Sequence, residues 1–335
     1  MKKLLFVFNP NAGKGLLKKN LCEIIDTFTK NGYIVTAYPT QAKGDGSQKI
    51  SLLAADYDVL VCSGGDGTLS ETISALLEMD EANRPILGYI PSGSTNDFAN
   101  SLDIPKKFIE AAQSATEGVP FQIDVGTLGE NYFCYVAAFG AFVDVTYQTD
   151  QALKNRLGHA AYIIEGAKSL GRIKSHHLKV EINDEQPFED DYILGMVTNS
   201  VSVGGIVRLD RLSKNEVVYD DGKFEVLLVK STDNIFEMAE LLSNFFNTNM
   251  LNISALNEKY FQTFKANHVK ITSDEPITWT IDGENGGNYT VADIVNHPRA
   301  IKITIGKSSP TPYSLISSSD ESPEKDSFEN GKKDM

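Results

Sequence analysis

Two periods alternate along the first third of the chain. Short apolar runs, KLLFVFN (3–9), YIVTAYPT (33–40), DVLVCS (58–63) and RPILGYIP (84–91), read as strands. Between them LLKKNLCEIIDTF (16–28) and TLSETISALLEM (68–79) carry apolar residues at helical spacing, the second at Leu69, Ile73, Leu76 and Leu77. NDFANSL (96–102) opens a further helix and FIEAAQSATEG (108–118) follows it. Apolar strands separated by amphipathic helices predict a parallel sheet with helices on both faces.

From about Phe121 the texture changes. FQIDVGTL, YFCYVAAF, HLKVEIN, YILGMVTNS, KFEVLLVK, HVKITS, ITWTIDG and IKITIG are short, turn-bounded and rich in Val, Ile and aromatics. That pattern predicts an antiparallel sandwich or barrel, interrupted by helices near 160–170 and 235–246. The expected organisation is an α/β domain over 1–122, a β-sandwich-like domain over 123–307, and a disordered tail over 308–335. The tail holds eight serines and three prolines with almost no apolar periodicity.

Composition narrows the function. A net charge of −14 and an isoelectric point near 4.8 argue against a general nucleic-acid binder. Cys22, Cys62 and Cys134 form no CxxC pair, so neither a disulfide framework nor a zinc knuckle is indicated, which fits a reducing cytoplasm. The opening MKKLLFVFNP is halted by Asn9 and Pro10 too early for a secretion leader. No apolar stretch approaches the roughly 20 residues that span a bilayer.

The chemistry concentrates where strands end. SGGDGTLSE (63–71) places three glycines and Asp66 in a strand-to-helix turn. Glycine serves where backbone must be approached closely, and the N–H groups of the following helix attract anions. Asp66 works against an anion site unless a cation or a proton-transfer task accompanies it. NPNAGKG (9–15) and PSGSTNDFA (91–99) form similar turns, and in an open α/β sheet such ends converge on a ligand crevice. Three together suggest a nucleotide polyphosphate cradled by backbone N–H groups. Neither a Walker loop nor a GxGxxG fingerprint is present. An ordinary turn remains the competing reading for each one taken alone.

GGDGT, with PSGSTNDFA after it and NPNAGKG before it, resembles the diacylglycerol-kinase catalytic-domain family, in particular the bacterial soluble lipid kinases. FQIDVG (121–126), YDDGKFEVLLV (219–229) and TIDGENGG (280–287) extend the resemblance over nearly the whole chain except the tail. The resemblance implies an ATP-binding α/β domain, a larger β-rich domain and an active site in the cleft between them. It places ATP on Asn9, Pro10, Asn11, Ala12, Gly13, Thr40, Gly65, Asp66, Gly67, Thr68, Leu69, Ser70, Glu71 and Ser94. It assigns Asp66, Asp97 and Asp124 to organising the catalytic Mg²⁺. It makes Glu284 the proton acceptor, with Asp282 in support. A second, structural Mg²⁺ would take Glu216, the Tyr219 carbonyl and Asp221, although the family commonly has aspartate where this chain has Glu216, leaving Asp210 and Asn215 as substitutes.

For these acids the plain alternatives are a helix N-terminal acid at Asp97, a turn acid at Asp124 and a DG hairpin at 282–283. The expected acceptor is diacylglycerol or a related lipid, met at the cytoplasmic face of a membrane. Six basic residues between Lys154 and Lys179, against the single acid Glu165, could rest on anionic lipid, or could be the solvated face of a packed helix. A homodimer is left open. The rival readings are an NAD-kinase-like phosphotransferase, which shares GGDGT, and a nucleotide-binding regulator without phosphotransfer.

Overall fold

A computed structural model describes residues 1–141, 174–200, 202–203, 207–208, 218–232, 237 and 259–307. The helices expected near 160–170 and 235–246, most of the basic segment, Glu216 with its substitutes Asp210 and Asn215, and the tail lie outside these residues.

Strands β1 (Lys2–Phe8), β2 (Tyr33–Pro39), β3 (Val59–Gly64) and β4 (Ile86–Pro91) pair in parallel in the order β4-β3-β1-β2. All six residues of β3 are buried, as a strand covered on both faces requires. Helices α1 (Leu16–Lys30) and α5 (Phe108–Glu117) cover one face, where Leu17, Ile24 and Phe28 pack with Leu4, Phe6 and Val61. Helices α2 (Asp45–Leu53) and α3 (Asp66–Leu77) cover the other through Ile50, Leu69, Ile73 and Leu76. The short helix α4 (Asp97–Ser101) follows β4.

Strand β5 (Val119–Leu128) runs through the expected boundary at residue 122 without a break. It is followed by β6 (Asn131–Phe133), β7 (Val136–Gly140), β8 (His176–Ile182) and β9 (Phe188–Thr198). Strands β10 (Ser202–Val203) and β11 (Val207–Arg208) form a small ladder of their own. Then come β12 (Phe224–Lys230), β13 (Phe261–Ala266), β14 (His268–Ile281) and β15 (Glu284–Ile305). Strands β7, β9, β8 and β14 pair in a closed ring around Phe139, Leu178, Tyr192 and Trp279.

The β-rich half, for which the sequence predicts an antiparallel sandwich or barrel, pairs antiparallel, and its strands continue the ladder of the parallel sheet. The reason is β15. It runs antiparallel to β14 over its first half, shifts register between His297 and Ile301, and then lies parallel to β4 at Ile303↔Leu87. Thr304 Oγ1 donates to the carbonyls of Leu87 (3.2 Å) and Ala115 (3.1 Å) at that junction. IKITIG is thus the segment that returns to the first half of the chain.

Candidate active site

Backbone hydrogen bonds stitch the carboxyl ends of the parallel strands together. Asn9 N donates to Ser63 O (2.9 Å), Thr40 N to Phe8 O (2.9 Å) and Ser92 N to Gly64 O (2.8 Å). The Tyr89 hydroxyl donates to Gly64 O (3.1 Å). The turns after β3 and β4 meet backbone to backbone, since a Cβ on Gly93 would stand 2.4 Å from Gly65 Cα. Glycine is needed there for the approach itself. Asn96, with φ 53°, closes its own turn by accepting from Gly93 N (2.9 Å) and donating to Gly93 O (3.0 Å).

These ends border a cavity of 470 Å³, whose lining includes Asn9, Asn11, Thr40, Gly65, Gly67 and Thr68. The first turn of α3 opens beside it; Thr68 N is bonded to Gly65 O (3.0 Å), and the N–H groups ahead of Thr68 are those a helix start leaves without intrahelical acceptors. Glu71 and Glu284 complete its acidic side. Of the other residues expected around a nucleotide, Ser70 lines an adjoining cavity of 320 Å³, while Pro10, Ala12, Asp66 and Ser94 line neither. The Leu69 side chain is in the core, and its N–H is bonded to Gly65 O (3.1 Å).

Glu284 reaches the cavity from the opposite half of the chain. Ile281 pairs with Glu284 across a two-residue turn in which Asp282 (φ 48°) and Gly283 (φ 79°) are both left-handed. That is the hairpin geometry DG favours, so the turn reading and the functional reading hold together. The turn delivers Glu284 Oε1 to within 2.8 Å of where a Cβ on Gly67 would be. Its other oxygen, Oε2, accepts from Lys43 Nζ at 2.6 Å. Lys43 was not singled out from the sequence. It follows the expected Thr40 by three residues, and nothing in local spacing links it to a residue 241 positions away.

Asp282 is 4 % exposed. Its carboxylate accepts from the N–H groups of Cys134 (2.7 Å), Tyr135 (3.0 Å) and Val136 (3.1 Å), so it fixes the hairpin against the start of β7. Burial pushes the Tyr135 phenol well above its ordinary range, and the charges of Asp282, Asp66 and Asp97 push it further. Three of the expected acids therefore lie near enough to Tyr135 for their charges to be felt there. Asp66 is itself raised by burial, against hydrogen bonds from the α4 N-terminal N–H groups, Phe98 first. Asp97 is buried at that same N-terminus.

Asp124 is fully buried, and it is occupied elsewhere: its carboxylate accepts from Arg299 N (2.7 Å), Gly222 N (2.7 Å) and Asn296 Nδ2 (3.5 Å). It lines neither cavity. The carbonyl of Tyr219 accepts from Asp124 N (2.7 Å) and Asn199 Nδ2 (3.4 Å). Asp221 accepts from Lys223 N (3.0 Å) and pairs with Lys265 (3.4 Å). Tyr219 and Asp221, two of the residues expected at a structural cation, thus also have protein partners, and Glu216 lies outside the described residues.

A helix N-terminal turn, of the kind that attracts anions, faces a carboxylate across the cavity, and the comparisons with known proteins supply the class, a kinase. Residues 3–128 match the family model described as the diacylglycerol kinase catalytic domain. The chain is 32% identical over 309 residues to the diacylglycerol kinase of Bacillus subtilis (strain 168), covering 92% of this chain and 97% of that one. It is 31% identical over 287 residues to that of Staphylococcus saprophyticus, covering 85% and 90%. A crystal structure of a diacylglycerol kinase from Bacillus anthracis str. Sterne shares the fold, with a TM-score of 0.69 at 24% identity over 92% of this chain and 98% of that chain. The chain belongs to the diacylglycerol kinase family and is a lipid kinase. No helix among the described residues is long and apolar enough to cross a membrane.

Proposed function

We propose that this chain transfers the γ-phosphoryl group of ATP to the hydroxyl of diacylglycerol or a chemically similar lipid at a membrane surface. The observation that carries the reading is the 470 Å³ cavity that gathers Asn9, Thr40, Gly65, Gly67 and Thr68 on one side and Glu284 on the other. The glycine turns and the α3 N-terminus face the phosphates, because N–H groups without acceptors and the helix dipole favour anions. Glu284 Oε1 accepts the proton of the attacking hydroxyl, whose pKa is too high for it to ionise unaided near neutral pH. The oxygen of that hydroxyl forms the new P–O bond as the bond to the ADP leaving group breaks.

The acids suit Mg²⁺. Asp97 is buried and Asp66 half-buried, and the Asp66 carboxylate accepts the Phe98 N–H at the α4 N-terminus (3.3 Å). Mg²⁺ usually keeps several waters and binds through one or two carboxylates together with substrate phosphates. When bound, Mg²⁺ would neutralise charge on the phosphates. The division at residue 122 belongs to the same proposal, with the nucleotide on the α/β side and the acceptor on the β-rich side. Support from the relatives is their name, diacylglycerol kinase, at about one residue in three identical.

The test is an acceptor panel. Purified protein with labelled ATP and Mg²⁺ is offered dispersed diacylglycerol, phosphatidylglycerol, a sphingoid base and NAD. Label in phosphatidic acid, with none in NADP, is the expected result. Label in NADP alone would overturn the proposal.

A further inference from the structure

Among the described residues lining the two cavities Lys43 is the one cation, and its ammonium is 2.6 Å from Glu284 Oε2. Surface ion pairs contribute little to stability, and both side chains are more than half exposed, so a purely stabilising role would be weak. The loop that presents Lys43 is nevertheless well tied down. Asp45 accepts from Gln41 N (2.8 Å) and from the Tyr38 hydroxyl (3.0 Å). Gly44, at φ 79°, caps α2 and lies close to the Glu71 carboxylate.

Glu71 sits near Glu284, and the two negative charges oppose each other. A carboxylate on an exposed side chain beside a second carboxylate moves away unless something holds it. Lys43 holds it by one oxygen and leaves the other, Oε1, over Gly67 at the start of α3.

Resting on the assignment of Glu284 as proton acceptor, we propose that Lys43 is a positioning residue for phosphoryl transfer, its ammonium fixing Glu284 Oε2 so that Oε1 faces the reacting hydroxyl. Lys43 acts through Glu284 and does not itself bind the nucleotide.

A double-mutant cycle on the full chain tests this, with kcat and the ATP KM measured for wild type, K43M, E284Q and K43M/E284Q. Misplacing a catalytic group by about an ångström can cost on the order of 100-fold, so K43M should lower kcat by roughly 10- to 100-fold with the ATP KM unchanged. In the E284Q background the same change should cost less than about 3-fold, since residues acting as a unit are not additive. K43R should recover much of the loss, and Tm should be unchanged throughout. Additive losses, a raised ATP KM at unchanged kcat, or a K43M enzyme with wild-type kcat would each overturn the role of Lys43. An E284Q enzyme with wild-type turnover would instead overturn the assignment of the base, so the two failures are distinguishable.

Discussion

Glu284 Oε1 lies 2.8 Å from the position a Cβ would take on Gly67, although the two residues belong to opposite halves of the chain. Gly67 is inside α3 with ordinary helical backbone, so it is not a conformational glycine. Its value is the space it leaves for a carboxylate. Gly67→Ala is expected to displace Glu284, lowering kcat by about 10-fold or more while Tm holds or rises slightly, because alanine favours helix and the displaced group is the end of a side chain. Steady-state kinetics beside a thermal melt check this; a variant with unchanged kcat would show that Glu284 does not work from that position.

Asp282 and Glu284 are separated by one residue but should fail differently. The Asp282 carboxylate accepts three backbone N–H groups while almost fully buried, and Asp282→Asn points an NH₂ at groups that can only donate. A loss of roughly 2–4 kcal/mol in unfolding free energy is expected. Urea denaturation measures it. An Asp282→Asn variant as stable as wild type would mean the clamp on the start of β7 is not needed.

His268 supplies a pH-dependent contact. Its ring lies between Asp293 (2.6 Å) and Asp184 (2.9 Å), and hydrogen bonding to Asp293 first, then to Asp184, raises its pKa above the usual histidine value. A folded pKa above the unfolded one gives stability that is fully present below about pH 6.5 and is lost as pH rises through the folded value. The urea midpoint should therefore decline on the alkaline side of pH 6.5, and His268→Gln should flatten that part of the decline. Equal slopes in the two proteins would contradict the assignment.

Asp66→Ala and Asp97→Ala are each expected to abolish most turnover in a folded protein. Both acids lie beside the α3 and α4 N-termini, where Mg²⁺ and phosphate are proposed to meet. A Mg²⁺ titration of activity, read beside circular dichroism, checks this. Near-normal turnover at ordinary Mg²⁺ in either variant would remove that acid from the site.

Much of the first half was legible because period and burial coincide there: β1 to β4, α1, α3, α4 and α5 appear where the apolar pattern placed them. Helix α2 was missed, since KGDGSQKISLL begins with glycines and buries only Ile50. In the second half HVKITS and ITWTIDG read as two strands because SDEP separates them, yet β14 carries that segment as an irregularity between Thr272 and Ile277. Strand β13 and the middle of β15 went unread. The middle of β15 alternates buried with exposed positions, as at Ala292 and Ile294 beside the exposed Val291 and Val295, and β13 fully buries only Ala266, so neither carries a solid apolar run. The glycine turns, Asp66, Asp97, Asp282 and Glu284 are proposed from motif order. Lys43 is not, because its meaning comes from a partner that only the fold brings near.

The central claim is that Glu284 accepts the proton when a lipid hydroxyl is phosphorylated. Its most direct measurement is single-turnover transfer from labelled ATP to diacylglycerol by Glu284→Gln, which keeps the size of the side chain and removes its charge. A fall in rate of about 10²- to 10⁴-fold with ATP affinity unchanged is the predicted result. A Glu284→Gln enzyme that forms phosphatidic acid at the wild-type rate would contradict it.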